Sequence, residues 1–86
     1  MKSLEFDPAA FQDLAWWIAQ DRKMALRIMK LVEAIQIDPF SGIGKPESLR
    51  HELAGCWSRR IDQEHRLIYE VSEKKIRILS CRYHYR

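Results

Sequence analysis

Residues 57–83 read WSRRIDQEHRLIYEVSEKKIRILSCRY, and this segment has the clearest strand pattern of the chain. It contains three segments with the β-branched and aromatic residues that strands favour, namely 57–61, 66–71 and 76–83. The polar segments 62–64 and 72–75 are short enough to be hairpin connections. We therefore predict an antiparallel meander of three strands.

The first half of the chain has the periodicity of two helices. Asp7 and Pro8 favour a helix start, because the aspartate can cap the first turn and proline is tolerated at the first helical position. Asp21 favours a second start, and Asp38-Pro39 favours an end, because the residue before proline is disfavoured in the helical conformation. The apolar residues at helical spacing are Phe11, Leu14, Ala15 and Ile18 in the first helix and Met24, Ile28, Leu31, Val32 and Ile35 in the second.

A helix pair followed by a meander predicts an α+β fold, with two antiparallel helices packed on one face of a small, mainly antiparallel twisted sheet. Residues 2–6 alternate in polarity and could add a short strand. Residues 40–47, FSGIGKPE, contain two glycines and a proline, which favours an irregular loop. A chain of 86 residues is expected to form one domain, 1–86.

Cysteine usage and hydropathy restrict the class of protein. Cys56 and Cys81 are far apart and outside any CxxC pattern, so we expect two buried free thiols. A zinc site would need more cysteines or closely spaced histidines, so we expect neither a metal nor a cofactor. The longest apolar run, around residues 14–19, is too short to span a bilayer, and the N-terminus does not resemble a signal peptide. These features favour a cytoplasmic protein that does not bind membranes.

The open face of the sheet and the loop beside it are the expected place for a functional site. Polar side chains collect there in the sequence, namely Lys45, Glu47, Arg50, Arg59, Arg60, Arg66, Arg82, His84 and Tyr85. A three-residue loop at 62–64 would place Arg60 directly opposite Arg66, and like charges in that arrangement destabilise a sheet unless an anion lies between them. A loop of two or four residues would put the two arginines on different faces. Arginines on a sheet can equally be an ordinary solvated face.

RNA is an anion that such side chains could cleave without a metal. The reaction needs a base for the 2′-hydroxyl, an acid for the departing 5′-oxygen and cations for the charged pentavalent phosphorus. Glu47 is the candidate base and His84 the candidate acid, since their ordinary pKa values suit those roles. Both residues could also be plain surface side chains, so residue types alone do not decide between the two interpretations.

Two structural expectations concern aromatic residues and the C-terminal strand. Trp16 and Trp17 are adjacent and cannot both face the core, so one should be partly exposed or covered by another chain. His65 is expected to have a structural role. With a four-residue turn at 72–75, regular pairing would put Arg66 and His84 on opposite faces, so their convergence requires a bulge or a bend.

The segment GKPESLRHELAGCWSRRIDQEHRLIYEV at 44–71, together with CRYHY at 81–85, closely resembles the Txe/YoeB toxins of the RelE/ParE superfamily. The resemblance implies a RelE-like fold. It also implies a toxin of a type II toxin–antitoxin system, an endoribonuclease that cuts mRNA in the ribosomal A site and inhibits translation. The implied partners are a YefM-type antitoxin and the ribosome with its mRNA. The sequence leaves both a monomer and a homodimer open.

The resemblance also assigns roles, which are Glu47 as general base, His84 as general acid, Arg66 as stabiliser of the phosphorane, Arg60 as phosphate ligand and Tyr85 as support for the site. Lys45, Arg50 and Arg59 complete the substrate-binding set that we expect. Three features depart from the family pattern. Cys56 stands where an aromatic residue is expected, and the N-terminal helix has its own aromatic pattern. Arg86 adds a cation that should lower the pKa of His84 unless the terminal carboxylate offsets it.

Two other functions compete with this interpretation. A ParE-like protein would have the same fold and inhibit DNA gyrase without catalysis, and a simple binding module would hold RNA without cutting it. The combination of a base, an arginine and an acid argues against the first, because a gyrase inhibitor has no need of these residues. Salt-dependent binding that never yields cut product would identify the second.

Overall fold

The computed structural model describes residues 2–83, so the predictions for His84, Tyr85 and Arg86 lie outside the described residues. The elements in chain order are β1 (Ser3–Phe6), α1 (Pro8–Gln20), α2 (Arg22–Ile37), β2 (Glu47–Ser48), a 3-10 turn (His51–Leu53), β3 (Cys56–Arg60), β4 (Arg66–Val71) and β5 (Lys75–Ser80). The described strands form one sheet in the order β1-β5-β4-β3-β2. Neighbouring strands in this sheet are antiparallel, except that β1 and β5 are parallel. Two helices beside a mainly antiparallel sheet confirm the predicted α+β architecture.

The helix boundaries follow the aspartates that the sequence indicated. The Asp7 carboxylate accepts a hydrogen bond from the Ala9 amide at 3.0 Å, and the Asp21 carboxylate accepts one from the Met24 amide at 3.4 Å. Each satisfies an amide that the first helical turn leaves without an internal partner. Neither helix is long and apolar enough to span a bilayer.

The buried face of α1 differs from the predicted one. Phe11 and Ile18 are 65% and 59% exposed, whereas Asp13 and Trp17 are buried. The reason is specific bonding to the chain after β5, because the Trp17 indole donates to the Cys81 carbonyl at 2.8 Å and the Asp13 carboxylate accepts from the Cys81 amide at 3.0 Å. These bonds select a face next to the apolar stripe, and periodicity alone does not separate two such neighbouring faces.

The core lies between the helices and one face of the sheet. Its fully buried large apolar residues are Ile28, Leu31 and Ile35 from α2, Leu67 and Tyr69 from β4, and Ile76 and Ile78 from β5. Burying each such aliphatic side chain stabilises the fold by roughly 1.5–3 kcal/mol. Both cysteines are buried and free, as predicted.

A bulge interrupts the pairing of β4 with β5. Tyr69 pairs with Ile78 but Ile68 pairs with Ser80, so Leu79 is an extra residue on β5. The extra residue changes which side chains of the later chain share a face with β4. A bulge is one of the two irregularities that convergence of Arg66 and His84 would require, and His84 itself lies outside the described residues. The strand ends at Ser80 rather than continuing to residue 83.

Candidate functional site

The antiparallel pairing of β3 with β4 brings two arginines together on the open face. Arg60 lies directly opposite Arg66, as the 62–64 loop predicted. Arg60 is exposed and Arg66 is half-buried. Two cations in this position repel each other across the strands, so the arrangement favours an anion between them.

Glu47 joins this face through β2. It pairs with Ser58, which is two residues from Arg60 along β3, so Glu47 and Arg60 are diagonal neighbours on the same side of the sheet. Backbones at such positions are typically about 7–8 Å apart, within reach of long side chains. Glu47 is exposed. A carboxylate and two guanidinium groups therefore share one surface across three adjacent strands.

A close backbone contact at Gly44 brings the loop alongside β3. The Gly44 carbonyl accepts a hydrogen bond from the Arg60 amide at 2.6 Å. Gly44 has a φ of +86°, and a Cβ added there would lie 2.8 Å from Cδ2 of Leu31 and 3.3 Å from the Arg60 carbonyl oxygen. Glycine is required both by conformation and by space. The next residue, Lys45, is exposed.

Gly44→Ala should lower the free energy of unfolding by roughly 2–3 kcal/mol, because the methyl group adds overpacking to an unfavourable φ. Gly55→Ala is the matched control, since Gly55 has a similar φ of +92° but nothing within 4 Å of an added Cβ. The control should lose only about 1 kcal/mol. Urea denaturation of both variants measures the difference, and equal losses would show that the contact with Leu31 and β3 is unimportant.

The prediction that Arg59 lies on the open face and binds substrate is wrong. Its side chain is fully buried on the helix face. The guanidinium donates four hydrogen bonds, to the carbonyls of Asp38 (2.7 Å), Ser41 (2.9 Å) and Ile43 (3.0 Å) and to the Tyr69 hydroxyl (3.1 Å). Consecutive residues of a strand face opposite sides, so only one arginine of the WSRR sequence can be on the open face.

Tyr69 binds the same segment after α2 that Arg59 binds. Its hydroxyl donates to the Pro39 carbonyl at 2.6 Å while it accepts from Arg59. Burial raises the pKa of Tyr69, and the neighbouring Arg59 only partly offsets this effect, so the phenol keeps its proton. The two side chains together bind the segment that leads from α2 towards Glu47.

The turn before β4 holds Arg66 in place. Nη1 of Arg66 donates to the carbonyls of Asp62 at 2.7 Å and His65 at 3.0 Å. The Asp62 carboxylate in turn accepts from the amides of Glu64 and His65, which fixes the turn. Within residues 2–83 these bonds use one of the three guanidinium nitrogens, so the others remain for a phosphate. Arg50 is also exposed, directly before the 3-10 turn.

The floor of the open face consists of three buried residues, Cys56, Ser58 and Ile68. Burial raises the pKa of the Cys56 thiol, and the charge of Glu70 on the paired strand raises it further. Cys56 is therefore a protonated packing residue rather than a thiolate nucleophile.

His65 has the structural role that the sequence predicted. It is buried, and its Nδ1 accepts a hydrogen bond from the Tyr83 amide at 2.7 Å. Trp17 packs edge-on against the His65 ring. Trp16 is 36% exposed and contacts Arg82, because the guanidinium carbon of Arg82 lies 3.6 Å from the centroid of the Trp16 ring. The prediction that one tryptophan is buried and the other partly exposed is confirmed. Arg82 thus lies against α1.

The sequence matches a known family over nearly its whole length. Residues 6–85 match the family described as YoeB-like toxin of bacterial type II toxin–antitoxin systems. A curated relative, the toxin YoeB of Mycobacterium bovis, is 56% identical over 85 residues, which cover 99% of this chain and 100% of the relative.

Solved structures agree with this match. The YoeB dimer from Staphylococcus aureus superposes with a TM-score of 0.89 at 44% identity, covering 98% of both chains. The YoeB chain of a YoeB–YefM complex from the same organism superposes with a TM-score of 0.87 at 42% identity, covering 99% of both chains. The fold and the sequence therefore point to the same set of proteins.

Proposed function

Because the chain belongs to the YoeB-like toxins of bacterial type II toxin–antitoxin systems, we propose that it is an endoribonuclease that cuts mRNA in the ribosomal A site. The observation that carries the proposal is the strand register, which gives Glu47, Arg60 and Arg66 one common surface. A carboxylate beside paired guanidinium groups supplies the base and the cations that phosphodiester cleavage without a metal needs, and His84 is the proposed acid.

The reaction assigns one task to each side chain. Glu47 takes the proton of the 2′-hydroxyl, and that oxygen attacks phosphorus. Arg66 stabilises the pentavalent phosphorane and Arg60 binds a non-bridging oxygen, because guanidinium donors match phosphate geometry. His84 gives a proton to the 5′-oxygen as its bond to phosphorus breaks. The products are a 2′,3′-cyclic phosphate and a 5′-hydroxyl.

The remaining proposed contacts lie around this centre. Lys45 and Arg50 are exposed cations beside Glu47 and would bind neighbouring phosphates of the messenger. Tyr85 would support the substrate next to His84. Arg59 is excluded from the set by its burial.

A YefM-type antitoxin is the proposed protein partner, since the similar Staphylococcus aureus toxin forms a complex with YefM. A basic open face favours an acidic segment that becomes ordered on binding. A second copy of the chain is proposed on the same ground, since another structure of the Staphylococcus aureus toxin is a dimer. Ribosomes as the target would place the toxin's action in the cytoplasm.

Primer extension on an mRNA translated in vitro tests the function. The wild-type protein should produce discrete cuts at the A-site codon, and the cuts should disappear with His84→Ala or when a YefM-type antitoxin is added. Uncut message at protein concentrations equal to those of ribosomes would contradict the proposal. Inhibition of gyrase supercoiling in that case would support the ParE-like alternative.

A further inference from the structure

The chain adopts an unusual backbone conformation at Tyr83. Its φ is +64°, in the left-handed region. This conformation costs a bulky L-residue roughly 1–2 kcal/mol, so surrounding contacts must hold it. The position matters because the next residue in the chain is His84, the proposed acid.

Two consecutive residues, the last before β4 and the first of β4, bind the backbone amide and carbonyl of Tyr83. Its amide donates to Nδ1 of His65 at 2.7 Å, and its carbonyl accepts from the Arg66 amide at 2.7 Å. The rings of His65 and Tyr83 are also in contact, with centroids 5.4 Å apart. Of these two backbone hydrogen bonds of Tyr83, the one with His65 uses a side-chain acceptor, and the one with Arg66 is between backbone groups.

His65 is itself held rigidly. It is 8% exposed, and its ring packs edge-on against Trp17 with centroids 4.8 Å apart. Its amide donates to the Asp62 carboxylate at 2.6 Å. Because Nδ1 accepts a hydrogen bond, the proton of the neutral ring belongs on Nε2, which lies 3.6 Å from a carboxylate oxygen of Glu64. The imidazole is therefore an oriented acceptor, with Trp17 packed against the ring and the Tyr83 amide bound to Nδ1.

We propose that His65 is a positioning residue, whose Nδ1 fixes the backbone of Tyr83 so that His84 can deliver its proton to the departing 5′-oxygen. This inference rests on the proposed endoribonuclease function. Without the acceptor, Tyr83 loses a side-chain bond that supports its left-handed conformation, so the backbone that leads into His84 is held less firmly. Displacements of about 1 Å cost a reaction about 10²-fold. The loss should affect protonation of the leaving group, and spare attack by the 2′-oxygen.

Three substitutions separate the acceptor from the packing. In His65→Asn, the amide oxygen can occupy the position of Nδ1. In His65→Gln, a similar polar group lies further out, near the position of Nε2. In His65→Leu, the volume is kept and the acceptor is lost. Thermal unfolding of each variant reports folding, and if the leucine variant does not fold, the asparagine and glutamine pair still makes the comparison.

The decisive readout uses two ribosome-bound messengers. One has the normal linkage at the scissile phosphate, and the other has sulfur in place of the bridging 5′-oxygen. When the phosphorus–sulfur bond breaks, the thiolate departs without needing a proton from an acid. We expect His65→Leu and His65→Gln to cut the normal messenger about 10²-fold more slowly than the wild type, and the sulfur messenger within a few-fold of it. His65→Asn should be close to the wild type on both, and His84→Ala should behave like His65→Leu.

Several outcomes would overturn the inference. Equal slowing of folded His65→Leu on both messengers would mean that His65 supports the site in general, and a wild-type rate on the normal messenger would mean that it has no role. An asparagine variant as slow as the glutamine variant would exclude the Nδ1 acceptor. Failure of the wild-type protein to cut either messenger would instead refute the proposed endoribonuclease function, so the two failures are distinguishable.

Discussion

Glu47→Gln should slow the cutting of ribosome-bound mRNA by roughly 10²–10⁴-fold, the usual contribution of a general base. Glutamine keeps the size and the hydrogen-bonding capacity of the side chain but does not take up a proton at neutral pH. Glu47 is exposed, and within residues 2–83 its side chain makes no hydrogen bond or ion pair. The free energy of unfolding should therefore change by less than about 0.5 kcal/mol.

Glu52→Gln is the matched control for this prediction. Glu52 is an exposed carboxylate in the 3-10 turn, only five residues further along the chain. The substitution removes the same charge at a nearby position of the chain, so it accounts for any general electrostatic effect on binding to the ribosome. Single-turnover cleavage rates of both variants provide the comparison. A Glu47→Gln rate within a few-fold of the wild type would remove Glu47 from the mechanism.

The features that the sequence predicted are those decided by local chemistry. Asp7 and Asp21 bind amides of the first helical turns, so the helices begin where the sequence indicated. The register of Arg60 with Arg66 followed from the length of one hairpin loop. In each case, the deciding residues lie within a few positions of one another along the chain.

The features that escaped prediction depend on contacts between distant residues. The face of α1 that is buried is selected by bonds from Asp13 and Trp17 to Cys81, more than sixty residues away. The burial of Arg59 depends on carbonyl groups in a loop about twenty residues earlier. A strand alternation rule assigns Arg59 and Arg60 to opposite faces, but does not say which of the two finds buried acceptors.

Arg59→Met should lower the free energy of unfolding by roughly 3–5 kcal/mol, because several acceptors around the buried guanidinium lose their donor, and leaving one buried and unsatisfied costs about 1–3 kcal/mol. Methionine fills a similar volume, but it donates no hydrogen bond to the three carbonyls and the Tyr69 hydroxyl that Arg59 binds. Small domains are stable by only about 5–15 kcal/mol, so the variant should melt more than about 10 °C below the wild type. Circular dichroism during heating measures this shift.

Arg60→Met is the control on the adjacent position, and it should give the opposite result. Arg60 is exposed on the open face, so its replacement should change the free energy of unfolding by less than about 0.5 kcal/mol. Cleavage of ribosome-bound mRNA should nevertheless fall by roughly 10²-fold, since a guanidinium that holds the reacting phosphate is lost. Equal melting temperatures for the two variants would refute the anchoring role of Arg59, and full activity of a folded Arg60→Met would refute the phosphate contact. Two neighbouring arginines can have such different roles because each faces a different side of the same strand.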